Sequence, residues 1–183
     1  SLMNLSPNTQ YNIQAYAGHT AGTGYSNTIQ IVTGKPNVIV EKPGTLPQII
    51  DNSDAFEIEE LRISGPLNGD DIKYLRQISS VRKLDLSEST ITAGGSSYDG
   101  SHYTSNNIIS TGMFAGHQNL EEIILPVTAT KMEENAFTDC TSLKVLTIPG
   151  NLCEMGHSFG CTSLSHINVT EQNTYFCSKN GIL

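Results

Sequence analysis

LKVLTIP, at residues 143–149, is one of five versions of a single phrase: an aliphatic residue, two variable residues, Leu or Ile, one variable residue, another aliphatic, then Pro, Ser or Thr. The others are IEELRIS from Ile58, VRKLDLS from Val81, LEEIILP from Leu120 and LSHINVT from Leu164. Their starts are separated by 23, 39, 23 and 21 residues. The long interval is one 23-residue period plus 16, and residues 92–107 (TAGGSSYDGSHYTSNN) supply that excess as a Gly-, Ser- and Tyr-rich insertion. A recurrence of this length marks a solenoid, in which each turn of chain has a short strand that can be buried only against its neighbours.

Alternation in the phrase places its fourth and sixth residues on one face of a strand and its third and fifth on the other. The spacing therefore predicts parallel strands at 58–64, 81–87, 120–126, 143–149 and 164–169, ended in two cases by Pro126 and Pro149, which lack the N–H for the next ladder bond. Phe114, Phe137 and Phe159 recur at spacings of 23 and 22 and are expected in one buried column. Around residues 66–80 the apolar spacing changes. Leu67, Ile72, Leu75 and Ile78, with Asp70 and Asp71 where a helix N-terminus favours negative charge, predict one short helix capping the first end of the solenoid.

The N-terminal residues follow another pattern. Within 1–34, LSPNTQYNIQAYA and GTGYSNTIQIVTG read as two alternating strands of a hairpin, with Tyr11, Ile13, Ala15, Ile29 and Ile31 on one face. Residues 35–57, holding Pro36, Pro43 and Pro47, read as a linker to the leucine-rich-repeat block at 58–183. A lone hairpin is marginal in water, so its uncovered face predicts a dimer through two such hairpins. Near the other end, Asn180-Gly181 is a hairpin signal followed only by Ile182 and Leu183, and predicts an interrupted repeat with a frayed last turn.

The repeat phrase, with Ala136-Phe137-x-x-Cys140-x-x-Leu143 and the proline after the strand, resembles the BspA-type leucine-rich repeats of bacterial surface proteins over roughly residues 56–170. Thr170 in place of a proline, Phe159 without a preceding Ala, and His117 in the Cys position depart from it. Leu5-x-Pro7-x-Thr9-x-Tyr11 resembles the tyrosine corner of a fibronectin type III domain, of which 1–34 would supply the last two strands. These resemblances imply a β-rich leucine-rich-repeat solenoid preceded by a hairpin remnant of a fibronectin sandwich. They also imply a module secreted to, or held at, the outside of a bacterial cell for adhesion or ligand capture.

Ten Lys and Arg against eighteen Asp and Glu give a net charge of -8, and no basic run exists that could follow a phosphate backbone, which argues against nucleic acid. No apolar stretch reaches the length of a membrane span. The sequence contains no nucleophile elbow, phosphate loop, dinucleotide fingerprint or HExxH. Glu121-Glu122 and Glu133-Glu134 are sequence neighbours whose side chains diverge rather than converge as hydrolase carboxylates do. No enzyme, no cofactor and no metal is the expectation. The one metal-like spacing, Cys153, His157, Cys161 and His166, is spread along a coil and across a strand, whereas tetrahedral zinc needs convergence. Cys140 and Cys161 should stack one turn apart, about 5 Å by strand spacing, either as small buried hydrophobes in register or as a disulfide.

What remains is binding. The outward rows of the strands are Glu60, Lys83, Glu122, Val145 and His166, and Arg62, Asp85, Ile124, Thr147 and Asn168. Ile124 and Val145 break the polar pattern on adjacent strands and, with Glu122 and His166, form a candidate docking spot for an extracellular protein. The insertion offers Tyr98 and Tyr103 among Gly and Ser, a composition suited to an adaptable loop that stacks on a sugar or peptide, or packs on the solenoid flank. Protein or matrix recognition is the first expectation, and a carbohydrate-binding module of a glycan-capture system the alternative.

Overall fold

Strands whose side chains alternate between core and solvent can cover one another only by stacking edge to edge, and the second half of the chain does so. The computed structural model describes residues 10–13, 16–19, 22–25, 29–32, 37–50, 58–156 and 161–178, the first four segments as backbone. The chain divides into two compact units, 1–36 and 37–183.

In the first unit β1 (Gln10–Ile13) pairs antiparallel with β4 (Ile29–Val32), and β2 (Tyr16–His19) with β3 (Gly22–Tyr25). Tyr11 is set against Ile31 and Ile13 against Ile29, so the two alternating segments are arms of a hairpin. The side chains of this unit are not described, so the apolar face assigned to Tyr11, Ile13, Ala15, Ile29 and Ile31, and the dimer it would support, lie outside what the structure describes.

The second unit is the solenoid. A six-stranded parallel sheet runs β13-β11-β9-β7-β6-β5, formed by β5 (Asn37–Ile39), β6 (Glu60–Leu67), β7 (Lys83–Ile91), β9 (Glu122–Ile124), β11 (Val145–Ile148) and β13 (His166–Val169). A smaller parallel sheet, β12-β10-β8, forms from β8 (Ile108–Ile109), β10 (Lys131–Met132) and β12 (Glu154–Met155). The five expected strands are successive neighbours in the large sheet, aligned with one another as the phrase alignment requires: Glu60 opposite Lys83, Lys83 opposite Glu122, Glu122 opposite Val145, Val145 opposite His166.

The inward residues of the first four phrases, Leu61 and Ile63, Leu84 and Leu86, Ile123 and Leu125, Leu146 and Ile148, are all buried. Those of the last phrase, Ile167 and Val169, are only partly covered. On the opposite wall Phe114 and Phe137 are fully buried and stack with centroids 5.4 Å apart and rings 10° from parallel, which fits the expected column. Phe159, its third member, lies outside the described residues, as does Asn180-Gly181.

Two expectations are corrected. Residues 37–50 are not a linker: β5 pairs in parallel with β6, Asn37 opposite Arg62, and α1 (Leu46–Ile49) follows it. Val40, Leu46 and Ile50 are buried in the common core. Pro47 fits because it occupies the first turn of α1, where a helix needs no backbone N–H from it. Nor does the short helix near residue 70 cap the solenoid. That helix, α2 (Gly69–Leu75), belongs to the second turn and packs beside α1. Asn68 caps it in a reciprocal capping box with Asp71, whose fully buried carboxylate also accepts the backbone N–H groups of Gly44 at 2.6 Å and Leu46 at 2.9 Å. One carboxylate thus fastens the first turn to the second. Gly65 makes the close passage possible, since a Cβ there would lie 2.0 Å from the carbonyl oxygen of Val40.

Candidate functional site

The outward face of the large sheet is built by parallel pairing. Because opposite residues share a face, the pairing lines the third and fifth phrase residues into two rows that cross the sheet. Towards the first end the rows are occupied by ion pairs: Lys83 Nζ lies 2.9 Å from Glu60, and Arg62 lies 2.7 Å from Glu88 and 3.7 Å from Asp85. Along the strand entrances Glu121 takes Arg82 on one side and Lys144, at 3.2 Å, on the other. Those two hydrogen bonds lower the Glu121 pKa, and the bond that Lys83 donates to Glu60 raises that of Lys83. Past these pairs the polar pattern stops. Ile124 on β9 and Val145 on β11 are half-buried and one row apart on neighbouring strands, with Thr147 opposite Ile124 and Glu122 opposite Val145. His166 is exposed and lies next in the Glu122–Val145 row. Four of the six candidate residues are therefore brought together on one face.

The insertion is ordered by its own polar contacts. Gly94 O accepts from Gly69 N at 3.0 Å, and Ser96 N donates to Asp70 at 3.1 Å, which fixes the loop to the N-terminus of α2. Tyr98 is not available to a ligand, contrary to its assignment as a binding residue. It is 3% exposed, its hydroxyl donates to Thr111 O at 2.7 Å, and Arg76 lies 6.0 Å from its ring centre. Burial raises its pKa to about 12. Packing on the flank thus describes Tyr98, whereas Tyr103 is 62% exposed. Asp99 organises the turn between them by accepting the N–H groups of Ser101 and His102 and pairing with His102 Nδ1 at 2.7 Å. Partial burial opposes ionisation of that carboxyl, and the His102 contacts outweigh it, holding the pKa at about 2.

Cys140 and Cys161 are free thiols rather than a disulfide, Cys140 buried and Cys161 only partly covered. Cys140 Sγ donates to Phe114 O at 3.0 Å, and burial raises its pKa to about 11. His117 occupies the same repeat position one turn earlier, 94% removed from solvent by its 6% exposure, and its Nε2 has no partner. Burial and the nearby Arg76 lower its pKa to about 4. The departure of His117 from the Cys position was the sequence signal for this buried, unpartnered ring nitrogen. Of the metal-like set, His157 lies outside the described residues, and among the described residues no group of three or more His, Cys, Asp and Glu is gathered. Among the same residues no helix is long and apolar enough to cross a membrane. A groove of about 430 Å³ beside the small sheet is bounded by Lys131, Glu133, Glu154 and Met155, and the Glu133 carboxylate there accepts the Thr111 N–H at 3.0 Å.

Repeated turns, a continuous parallel sheet along one wall and an aromatic column along the other define a leucine-rich-repeat solenoid. Residues 99–180 match the family model of the BspA type leucine-rich repeat region, in six copies. The structure carries the same architecture further towards the N-terminus, through β5, β6 and β7. No curated protein matches the chain.

Proposed function

We propose that this chain is a non-catalytic binding module that works outside a bacterial cell and recognises an extracellular protein through the outward face of its six-stranded sheet. The observation that carries the reading is the half-buried pair Ile124 and Val145, set in a rigid sheet and bordered by Glu122, Thr147 and His166. An apolar centre with a polar rim is the arrangement of a protein interface rather than of a reaction site. The leucine-rich-repeat match is consistent with a protein-interaction role. Parallel pairing fixes the backbone of the face, so little conformational entropy is lost on docking.

The test is binding of the whole chain to a panel of immobilised host extracellular-matrix proteins, with Ile124→Asp and Val145→Asp variants. A charge at the apolar centre should lower affinity for the bound protein at least about tenfold. Equal binding by wild type and both variants would remove the sheet face from the reading.

A further inference from the structure

We propose that the insertion loop is a second, independent binding site, a platform on which His102 and Tyr103 receive the apolar face of a neutral sugar ring. The geometry begins in the core. Arg76, at the C-cap of α2, donates to Gly112 O and Met113 O and lies under Tyr98. Tyr98 in turn stacks with His102, with centroids 6.3 Å apart and planes 20° from parallel. Tyr98 thus contacts both a guanidinium and an imidazole, itself buried in the protein while the His102 side chain is 47% exposed. The imidazole is held from the side as well, by Asp99 at Nδ1. Tyr98 N donates to His102 O at 3.1 Å, closing the loop behind it.

A histidine in a Gly- and Ser-rich loop would ordinarily sample several rotamers. Here two restraints act on the ring, the Tyr98 stack and the Asp99 bond, while Tyr103, the next residue, is 62% exposed. Such preorganisation lowers the entropy lost when a flat ligand stacks.

The rim decides the ligand class. Residues 92–107 contain no Lys, Arg or Glu, and their single Asp is consumed by Ser101 N, His102 N and His102 Nδ1. No free charge remains in the loop to select an anion or a cation. Its exposed polar side chains include the hydroxyls of Ser96, Ser101, Ser105 and Tyr103 and the amide of Asn106, whose oxygen accepts from Ala93 N. Hydroxyls and amides beside an aromatic plane suit a ligand that has one apolar face and a ring of hydroxyl groups. The loop is fastened to α2 through Gly69 and Asp70 and to the ends of β6 and β7 through Leu67 and Ile91, whereas Ile124 and Val145 lie on β9 and β11.

The experiment is an array of neutral oligosaccharides built from glucose, mannose, galactose or xylose, with uronic-acid oligomers alongside, probed with the whole chain and three variants. Saturable binding to at least one neutral series is expected, and none to the uronates alone. Tyr103→Ala should weaken it about tenfold, with Tyr103→Phe retaining most of it. Ile124→Asp should leave it unchanged, so failure here and failure of the sheet-face reading are separable. The exposure of Tyr103 keeps the fold out of the comparison, checked by an unchanged melting curve. Absence of neutral-glycan binding, binding indifferent to Tyr103→Ala, or a Tyr103→Ala defect seen only against matrix proteins would each overturn the proposal.

Discussion

His117 shows how a single repeat position sets pH behaviour. Its pKa is about 4 when folded and about 6.5 when unfolded, because the buried ring has no partner at Nε2 and faces Arg76. Between those values the unfolded chain takes up a proton that the folded chain refuses, so stability is unaffected above pH 6.5 and falls as the pH drops from 6.5 towards 4. The full loss is on the order of 3 kcal/mol, reached below pH 4. His117→Cys, which installs the residue of the next turn, should flatten that part of the denaturation profile, and a profile identical to wild type between pH 4 and 6.5 would refute the assignment. In the same segment the Phe114–Phe137 stack predicts that Phe137→Ala costs about 3–5 kcal/mol. A loss under about 1 kcal/mol in urea would mean the column is not core. Both residues were marked in the sequence by their period, and Phe137 was readable as core because phenylalanine recurs there. Tyr98 was not readable in the same way: an aromatic in a non-periodic Gly and Ser stretch carries no signal for which side it faces.

Among the elements, legibility followed length. The large-sheet strands could be aligned residue by residue because seven-residue phrases alternate, and a slip of one would have exposed Leu61, Leu84, Ile123 and Leu146 together. The small sheet was invisible because Ile108–Ile109, Lys131–Met132 and Glu154–Met155 are two residues each, too short for any period. The first turn was hidden by its prolines, although NVIV at 37–40 stands 25 residues before the stretch it pairs with. What holds that turn is Asp71. Replacing it with Ala leaves three backbone N–H groups, those of Gly44, Leu46 and Asn68, without their acceptor. Asp71→Ala should cost about 3 kcal/mol or more by the loss of charge-assisted bonds. Amide exchange at Leu46 should accelerate far more than at Leu146. Equal acceleration at both positions would show that the carboxylate does not act locally.

At the scale of the whole molecule, a solenoid is a row of units each stabilised by its neighbours, so its ends decide how far fraying travels. The described structure closes its first end with β5 and α1, whose Val40, Leu46 and Ile50 are each at most 5% exposed. Burying three aliphatic side chains is worth about 1.5–3 kcal/mol apiece, a sum comparable with the stability of many domains. Two chains test this, one spanning residues 37–183 and one spanning 58–183. Both lack the first unit, so any difference between them reports on the first turn alone. The shorter one uncovers Leu61, Ile63 and Leu67 at the new end and strips Asp71 of two of its donors. Its melting temperature should fall by more than about 10 °C, given roughly 2–4 °C per kcal/mol for a chain of this size. If 37–50 were a linker, as the prolines alone suggest, the two would melt within about 2 °C of one another. Exchange at Ile63 measured beside Leu146 locates the damage: protection lost at Ile63 and kept at Leu146 means the solenoid unravels from its first end, one turn at a time.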